Sequence, residues 1–242
     1  MTDILQAQAE EAQCPSIFYD PKFRVIFTWV WFIVGPILTI LVIMLLMGES
    51  IAGLRQALST NPYITTYVEI VGVGLIPAIF TLFAREKLTA YGLRIKGLVA
   101  SLLLSAIVVA ILMGFSLLTT GQPVGYSTAD FQISSPWNYF YGILGIFAYG
   151  PLEVFFFVWL VTNTDRIGKG TQTVLSRGLI ITVIIFSLMH ILTTQHIETA
   201  FYIAVIYSAL GLIYKRTQNV IGPMIAWTLI NGQVWYLAQM LR

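Results

Sequence analysis

Residues 25–47 contain no charged side chain. A helix that is apolar on every face must be buried, and about 20 such residues suffice to cross the roughly 30 Å hydrocarbon core of a bilayer. The pattern recurs along the chain. Seven segments can be drawn, at 25–47, 63–84, 98–118, 136–162, 178–194, 200–214 and 220–240. With 57% hydrophobic and 10% charged residues, the chain leaves no stretch for a sizeable soluble domain. The expected fold is all-α: a polytopic transmembrane helix bundle of about seven spans, with a polar segment at 1–22 and one membrane domain at 23–242.

Charge sets the expected orientation. Eleven of the thirteen Lys and Arg residues fall at the N-terminus or in the connections after the second, fourth and sixth segments. The positive-inside rule places that set in the cytoplasm, with the N-terminus inside and an odd number of spans. Residues 1–22 lack the basic start and adjoining apolar core of a cleaved signal peptide, so the first span is expected to be retained. Cys14 is the single cysteine, which excludes an intramolecular disulfide framework. A net charge of +2 and the lack of a basic, aromatic-studded patch give no reason to propose nucleic acid as a partner.

Smaller features punctuate the spans. Gly35-Pro36 predicts a kink in the first, and residues 51–58 read as a weakly amphipathic interfacial piece. Residues 163–177 read as a polar, basic loop, 195–199 as a short turn, and Phe155 to Phe157 as a lipid-facing and packing surface.

Glu153 is the residue that demands a reason. It is the sole Asp, Glu, Lys, Arg or His between Asp130 and Asp165. A charged side chain at bilayer depth costs a few kcal/mol, so such residues face a protein interior or a wet cavity. Taking about 1.5 Å of rise per residue from the basic face, Glu153 lies about 14 Å deep, His190 about 18 Å, Trp227 about 10 Å and Asn231 about 17 Å. Three helices thus offer polar groups at one level. A carboxylate in apolar surroundings is suited to taking a proton from water, an imidazole can share or orient that proton, and an amide can stabilise a developing oxyanion. Taken singly, each residue has a structural reading as interhelical hydrogen-bonding glue. Glu69, nearer the opposite face, is assigned a packing or cavity role. Two His residues and no His-Glu-x-x-His give too few ligands for a zinc site, and no cofactor or metal is implied.

These residues stand in a recognisable order. Gly150-Pro151-Leu152-Glu153-Val154-Phe155-Phe156-Phe157-Val158, Phe186-Ser187-Leu188-Met189-His190 and Trp227-Thr228-Leu229-Ile230-Asn231 resemble the three motifs of the CPBP family, the CAAX proteases and bacteriocin-processing enzymes also called the Abi family. Thr89 to Arg94 and Gly211 to Thr217 are similar to its flanking segments, so the resemblance covers roughly residues 84–231. It implies a water-activating Glu153 and His190, with Asn231 stabilising the oxyanion, and makes Trp227, Phe186 and Phe157 possible oxyanion or pocket residues. Three positions depart from the family pattern. Its second Glu is Val154 here, its Arg is Val158, and its motif-three His is Trp227.

The resulting expectation is an intramembrane endopeptidase-like protein, in contact with membrane lipid. Its substrate would be a peptide or protein, membrane-embedded or prenylated, reached from the membrane or cytoplasmic side. The alternative is a catalytically impaired relative that binds a membrane peptide or partner protein. A small proton-coupled transporter has less support, because no internal repeat is visible.

Overall fold

The computed structural model describes residues 16–48, 50, 53, 63–126, 137–168, 173–194 and 196–240. Cys14, most of segment 1–22 and all but Gly53 of the interfacial piece lie outside the described residues. Among the described residues there is no strand, and eight helices pack into one bundle.

Helix α1 (Pro21–Met47) opens where the Asp20 side chain accepts the Lys22 backbone N–H at 2.9 Å, with Pro21 in the first turn where a missing N–H costs nothing. Helical conformation continues through Pro36. Helix α2 joins Tyr63–Glu69 to Leu75–Phe83 through a π-helical turn, Ile70–Gly74. Helix α3 is Leu98–Thr120. Helix α4 joins Trp137–Phe147 to Glu153–Ile167 through a second π-helical turn, Ala148–Leu152. Helices α5 (Arg177–Thr194), α6 (Ile197–Thr217), α7 (Ile221–Ile230) and α8 (Gln233–Met240) complete the bundle. Five helices, α1 to α4 and α6, are long and apolar enough to cross a membrane, while α5 and α7 supply shorter apolar stretches.

The seventh expected segment is not one helix. Helix α7 stops at Ile230, Gly232 takes φ +89°, and the Asn231 side chain accepts the Gln233 N–H at 3.1 Å to start α8. A left-handed backbone at Gly232 and a side-chain cap together end one helix and begin the next.

Helix α4 is the axis of the core. Helices α1, α2, α5 and α7 pack around it, so its aromatic run faces protein and not lipid. Phe156 meets Phe32 at 5.1 Å between ring centroids and Phe157 meets Tyr207 at 4.8 Å. Phe155 alone of the three keeps partial exposure. The packing half of the expectation holds for Phe156 and Phe157 and the lipid-facing half does not, because packing drives helix association in lipid.

A polar cluster ties the Lys- and Arg-rich end together. Arg24 Nη1 donates to Glu86 Oε1 at 3.0 Å and to Asn163 Oδ1 at 3.3 Å. Arg166 Nη1 reaches the same Glu86 oxygen at 2.8 Å, and the Tyr91 hydroxyl donates to Oε2. Lys215 Nζ meets Asp165 Oδ2 at 2.9 Å. Because Asn163, Asp165 and Arg166 all find partners on other elements, α4 runs on to Ile167 where a loop was expected from residue 163. The expected turn at 195–199 is likewise shorter, since α6 begins at Ile197.

At this end the segment Thr89 to Arg94 meets the residues that directly follow Gly211 to Thr217. The Gly92 carbonyl accepts the Val220 N–H at 3.1 Å, and Arg94 Nε donates to the Gln218 carbonyl at 2.8 Å. The Asn219 amide donates to the carbonyls of Arg94 and Lys96. These bonds fix where α7 leaves the basic face, and hence the level at which Trp227 and Asn231 arrive.

Candidate active site

Both intramembrane acids border a π-helical turn. Glu69 immediately precedes Ile70–Gly74, and Glu153 immediately follows Ala148–Leu152. The two turns pack against each other, with the Leu152 side chain seated over Gly74. A π turn inserts one residue into the helical repeat and re-aims the side chains beyond it, a feature frequent at functional sites. Pro151 has no N–H to give, and the second turn lies where it falls.

Glu153 is 4% exposed and sits between three helices. Trp227 Nε1 of α7 donates to its Oε2 at 2.7 Å. His190 Nε2 of α5 stands 4.0 Å from Oε1. The other imidazole nitrogen, Nδ1, is 2.8 Å from the Phe186 carbonyl oxygen, which can only accept. Nδ1 therefore carries the proton in the neutral ring, and Nε2 presents a lone pair toward Glu153. The buried Tyr207 hydroxyl of α6 approaches the same carboxylate without completing a hydrogen bond of good geometry.

Glu153, His190, Trp227 and Asn231 all line one cavity of about 830 Å³, as does Phe186. Phe157 does not line it. It lies behind, 1% exposed, among Phe186 and Tyr207, because the following turn of α4 carries it into the core. Asn231 is already engaged: its Nδ2 donates to the Tyr149 carbonyl, tying the end of α7 to the π turn ahead of Glu153. Glu69 lines the cavity as well, close enough to Glu153 for the carboxylates to feel each other's charge. Neither Tyr207 nor this nearness was legible from sequence. Tyr207 is one apolar-span tyrosine among several, and the approach of Glu69 depends on how α2 leans on α4.

The three departures from the family pattern have different surroundings. Val154 and Val158 are each 1% exposed and belong to the apolar core. A carboxylate and a guanidinium are replaced there by two methyl-bearing side chains, with no orphan charge left behind. Trp227, in contrast, keeps an N–H donor on Glu153. Among the described residues, no three His, Cys, Asp or Glu side chains gather as a metal site requires.

Toward the basic face, Val154, Phe156, Phe157, Val158, Trp159, Leu160 and Val161 are all 1% exposed or less, so this part of α4 is packed in protein.

The family model for type II CAAX prenyl endopeptidase Rce1-like proteins matches residues 134–233. This segment is an Rce1-like domain of the CPBP family. No curated protein and no solved structure matches the chain. The Rce1-like domain runs through α4, α5, α6 and α7 to the first residue of α8, and so holds Glu153, His190, Trp227 and Asn231; Glu69 lies outside it. Rce1-like proteins are intramembrane proteases, hydrolases that work on peptides in a membrane setting. The chain is an integral membrane protein.

Proposed function

We propose that the protein is an intramembrane endopeptidase in which Glu153 and His190 activate water. The observation that supports this most is the 4.0 Å separation of Glu153 Oε1 and His190 Nε2 inside the cavity. Both atoms accept, the gap is too long for a direct bond, and a water placed between them would donate one hydrogen to each. Its oxygen then attacks the peptide carbonyl carbon. A water proton passes to Glu153, the new C–O bond forms, and the C–N bond breaks as that proton is delivered to the leaving nitrogen. The second amide hydrogen of Asn231 is the oxyanion donor in this reading, while Trp227 holds Glu153 in place. Substrate is a peptide segment brought to the cavity at bilayer depth, and a prenyl group is one way to bring it there.

The test is peptide cleavage by purified protein in proteoliposomes, read by mass spectrometry. Glu153→Gln and His190→Ala should each lower the rate by about 10² or more, the usual contribution of a positioned acid–base group. Undiminished cleavage by both variants would sink the assignment.

A second reading has its own observation. Trp227 gives Oε2 a donor that, unlike imidazole, cannot take up or release a proton near neutral pH. A relative that binds peptides without cutting them would show saturable binding and no products.

A further inference from the structure

The cavity holds a second carboxyl that the water-activating pair leaves unused. Glu69 ends the first part of α2, and the π turn that follows it is pinned from α1. Trp31 Nε1 donates to the Val71 carbonyl at 2.8 Å. Pro36 packs on Gly72 so closely that a Cβ there would stand 3.0 Å from the proline Cγ. On the α4 side, Leu152 seats over Gly74. These contacts hold the π turn in place, and with it the direction in which the Glu69 side chain leaves α2. Glu69 and Glu153 thus reach one cavity from neighbouring helices, each at the edge of its own π turn.

The donors around Glu153 are largely committed. The Trp227 N–H goes to Glu153 Oε2 at 2.7 Å, and one Asn231 amide hydrogen goes to the Tyr149 carbonyl. The His190 Nδ1 hydrogen goes to the Phe186 carbonyl. Among the described residues Glu69 has no hydrogen bond and no ion pair. Two carboxylates in one apolar-walled cavity repel, so such a pair holds a single proton between its members. An N–H aimed at a carboxyl oxygen favours the charged form of that carboxyl, which leaves the proton with the other member. Glu153 has such a donor and Glu69 does not. The other titratable groups on the described lining are His190, Tyr141, Tyr149 and Tyr202, with Tyr207 beside Glu153. A neutral imidazole and neutral phenols add no charge to the pair.

We propose that Glu69 is the acid member of a Glu69–Glu153 pair: it keeps the pair's one proton and offers it as a hydrogen bond to a peptide carbonyl oxygen in the cavity. Its use in cleavage rests on the proteolytic reading above. There it joins the second Asn231 amide hydrogen as a donor to the oxyanion, since the Trp227 N–H is spent on Glu153. Glu69 keeps its proton throughout. The C–O bond forms, the C–N bond breaks, and the proton that reaches nitrogen is the one Glu153 took from water. A neutral carboxylic acid suits this role because donation is worth more where water is excluded and the donor is fixed beforehand.

The experiment is infrared spectroscopy of the full chain in proteoliposomes at neutral pH, where a protonated carboxyl shows a C=O stretch that a carboxylate lacks. The band should be present in the wild type, vanish in Glu69→Gln and move in frequency in Glu69→Asp. In His190→Ala, which leaves peptide uncut, adding a prenylated CAAX peptide should lower its frequency as the hydroxyl finds a carbonyl partner. No band in the wild type, a band that survives Glu69→Gln, or one unmoved in Glu69→Asp overturns the assignment of the proton. A band that the peptide leaves unmoved overturns the donor role. Cleavage gives a second readout. Glu69→Met, similar in length but without a donor, should lower kcat by about 10² with KM nearly unchanged, as loss of one oxyanion donor does. Glu69→Gln should restore about tenfold of that loss through its amide N–H. Equal rates for the two variants, or an effect on KM alone, overturn the donor role. The band needs no turnover, so a wild type that cuts nothing removes the proteolytic reading and leaves the pair to be decided by the spectrum.

Discussion

The Trp227 indole N–H donates to Glu153 Oε2 at 2.7 Å, joining the third motif to the first across the bundle. Where the family pattern has His, the chain keeps a donor and loses a titratable ring. The carboxylate is thereby held in one orientation, with Oε1 turned toward His190. Trp227→Phe removes the donor and leaves a buried carboxylate oxygen without its partner. It should cost about 1–3 kcal/mol of stability, the penalty for an unsatisfied buried polar atom, and be measurable as lower thermal stability in detergent. Trp227→His should retain most of that stability, which separates loss of the donor from loss of ring volume.

Val154 and Val158 lie in the apolar core, four residues apart on α4. Introducing Val154→Glu alone buries a charge without a partner and should destabilise the protein by about 3–5 kcal/mol. The double change Val154→Glu, Val158→Arg should recover part of the loss through an i,i+4 pair. Restoring the family residues one at a time is therefore expected to unfold the chain before it alters chemistry. Denaturation of the three proteins in one detergent checks the order.

Glu86 joins α1 and α4 at the basic end through Arg24 and Arg166. Burial works against its charge, but the Tyr91 hydroxyl and the two guanidinium groups outweigh that and hold its carboxyl below the ordinary value of 4.5. A group whose pKa is depressed in the folded state stabilises it above the unfolded value and ceases to do so as pH falls through the folded one. Stability should therefore be flat with respect to Glu86 above about pH 5 and decline below 4.5, and Glu86→Gln should remove that decline. Thermal denaturation from pH 3 to pH 7 reads both curves.

Gly150 lies in the π turn just ahead of Glu153, and a Cβ there would strike the Thr228 hydroxyl of α7. Gly150→Ala should cost about 1–3 kcal/mol, typical of overpacking, and push α7 away from α4. Trp227 fluorescence should shift accordingly. Gly150→Ala combined with Thr228→Ser keeps the clash, whereas Gly150→Ala with Thr228→Gly relieves it and should recover packing.

Period and charge in the sequence were enough for the helical class, the membrane setting and the ordered motifs, because each is a local property. Twenty apolar residues cannot be satisfied in water, and a lone Glu in such a run must face inward. The same local logic misplaced Phe155 to Phe157 toward lipid and read one helix across residues 220–240, since neither neighbours nor the Asn231 cap can be read from composition. Depth counted along helices put Glu153, His190, Trp227 and Asn231 at one level, but level is not contact. Tertiary packing decided that Trp227 rather than Asn231 touches Glu153 and that Glu69 enters the same cavity. Those outcomes depend on the rotation of each helix about its axis, which the two π turns and the Asn219 ties set by joining residues more than seventy positions apart.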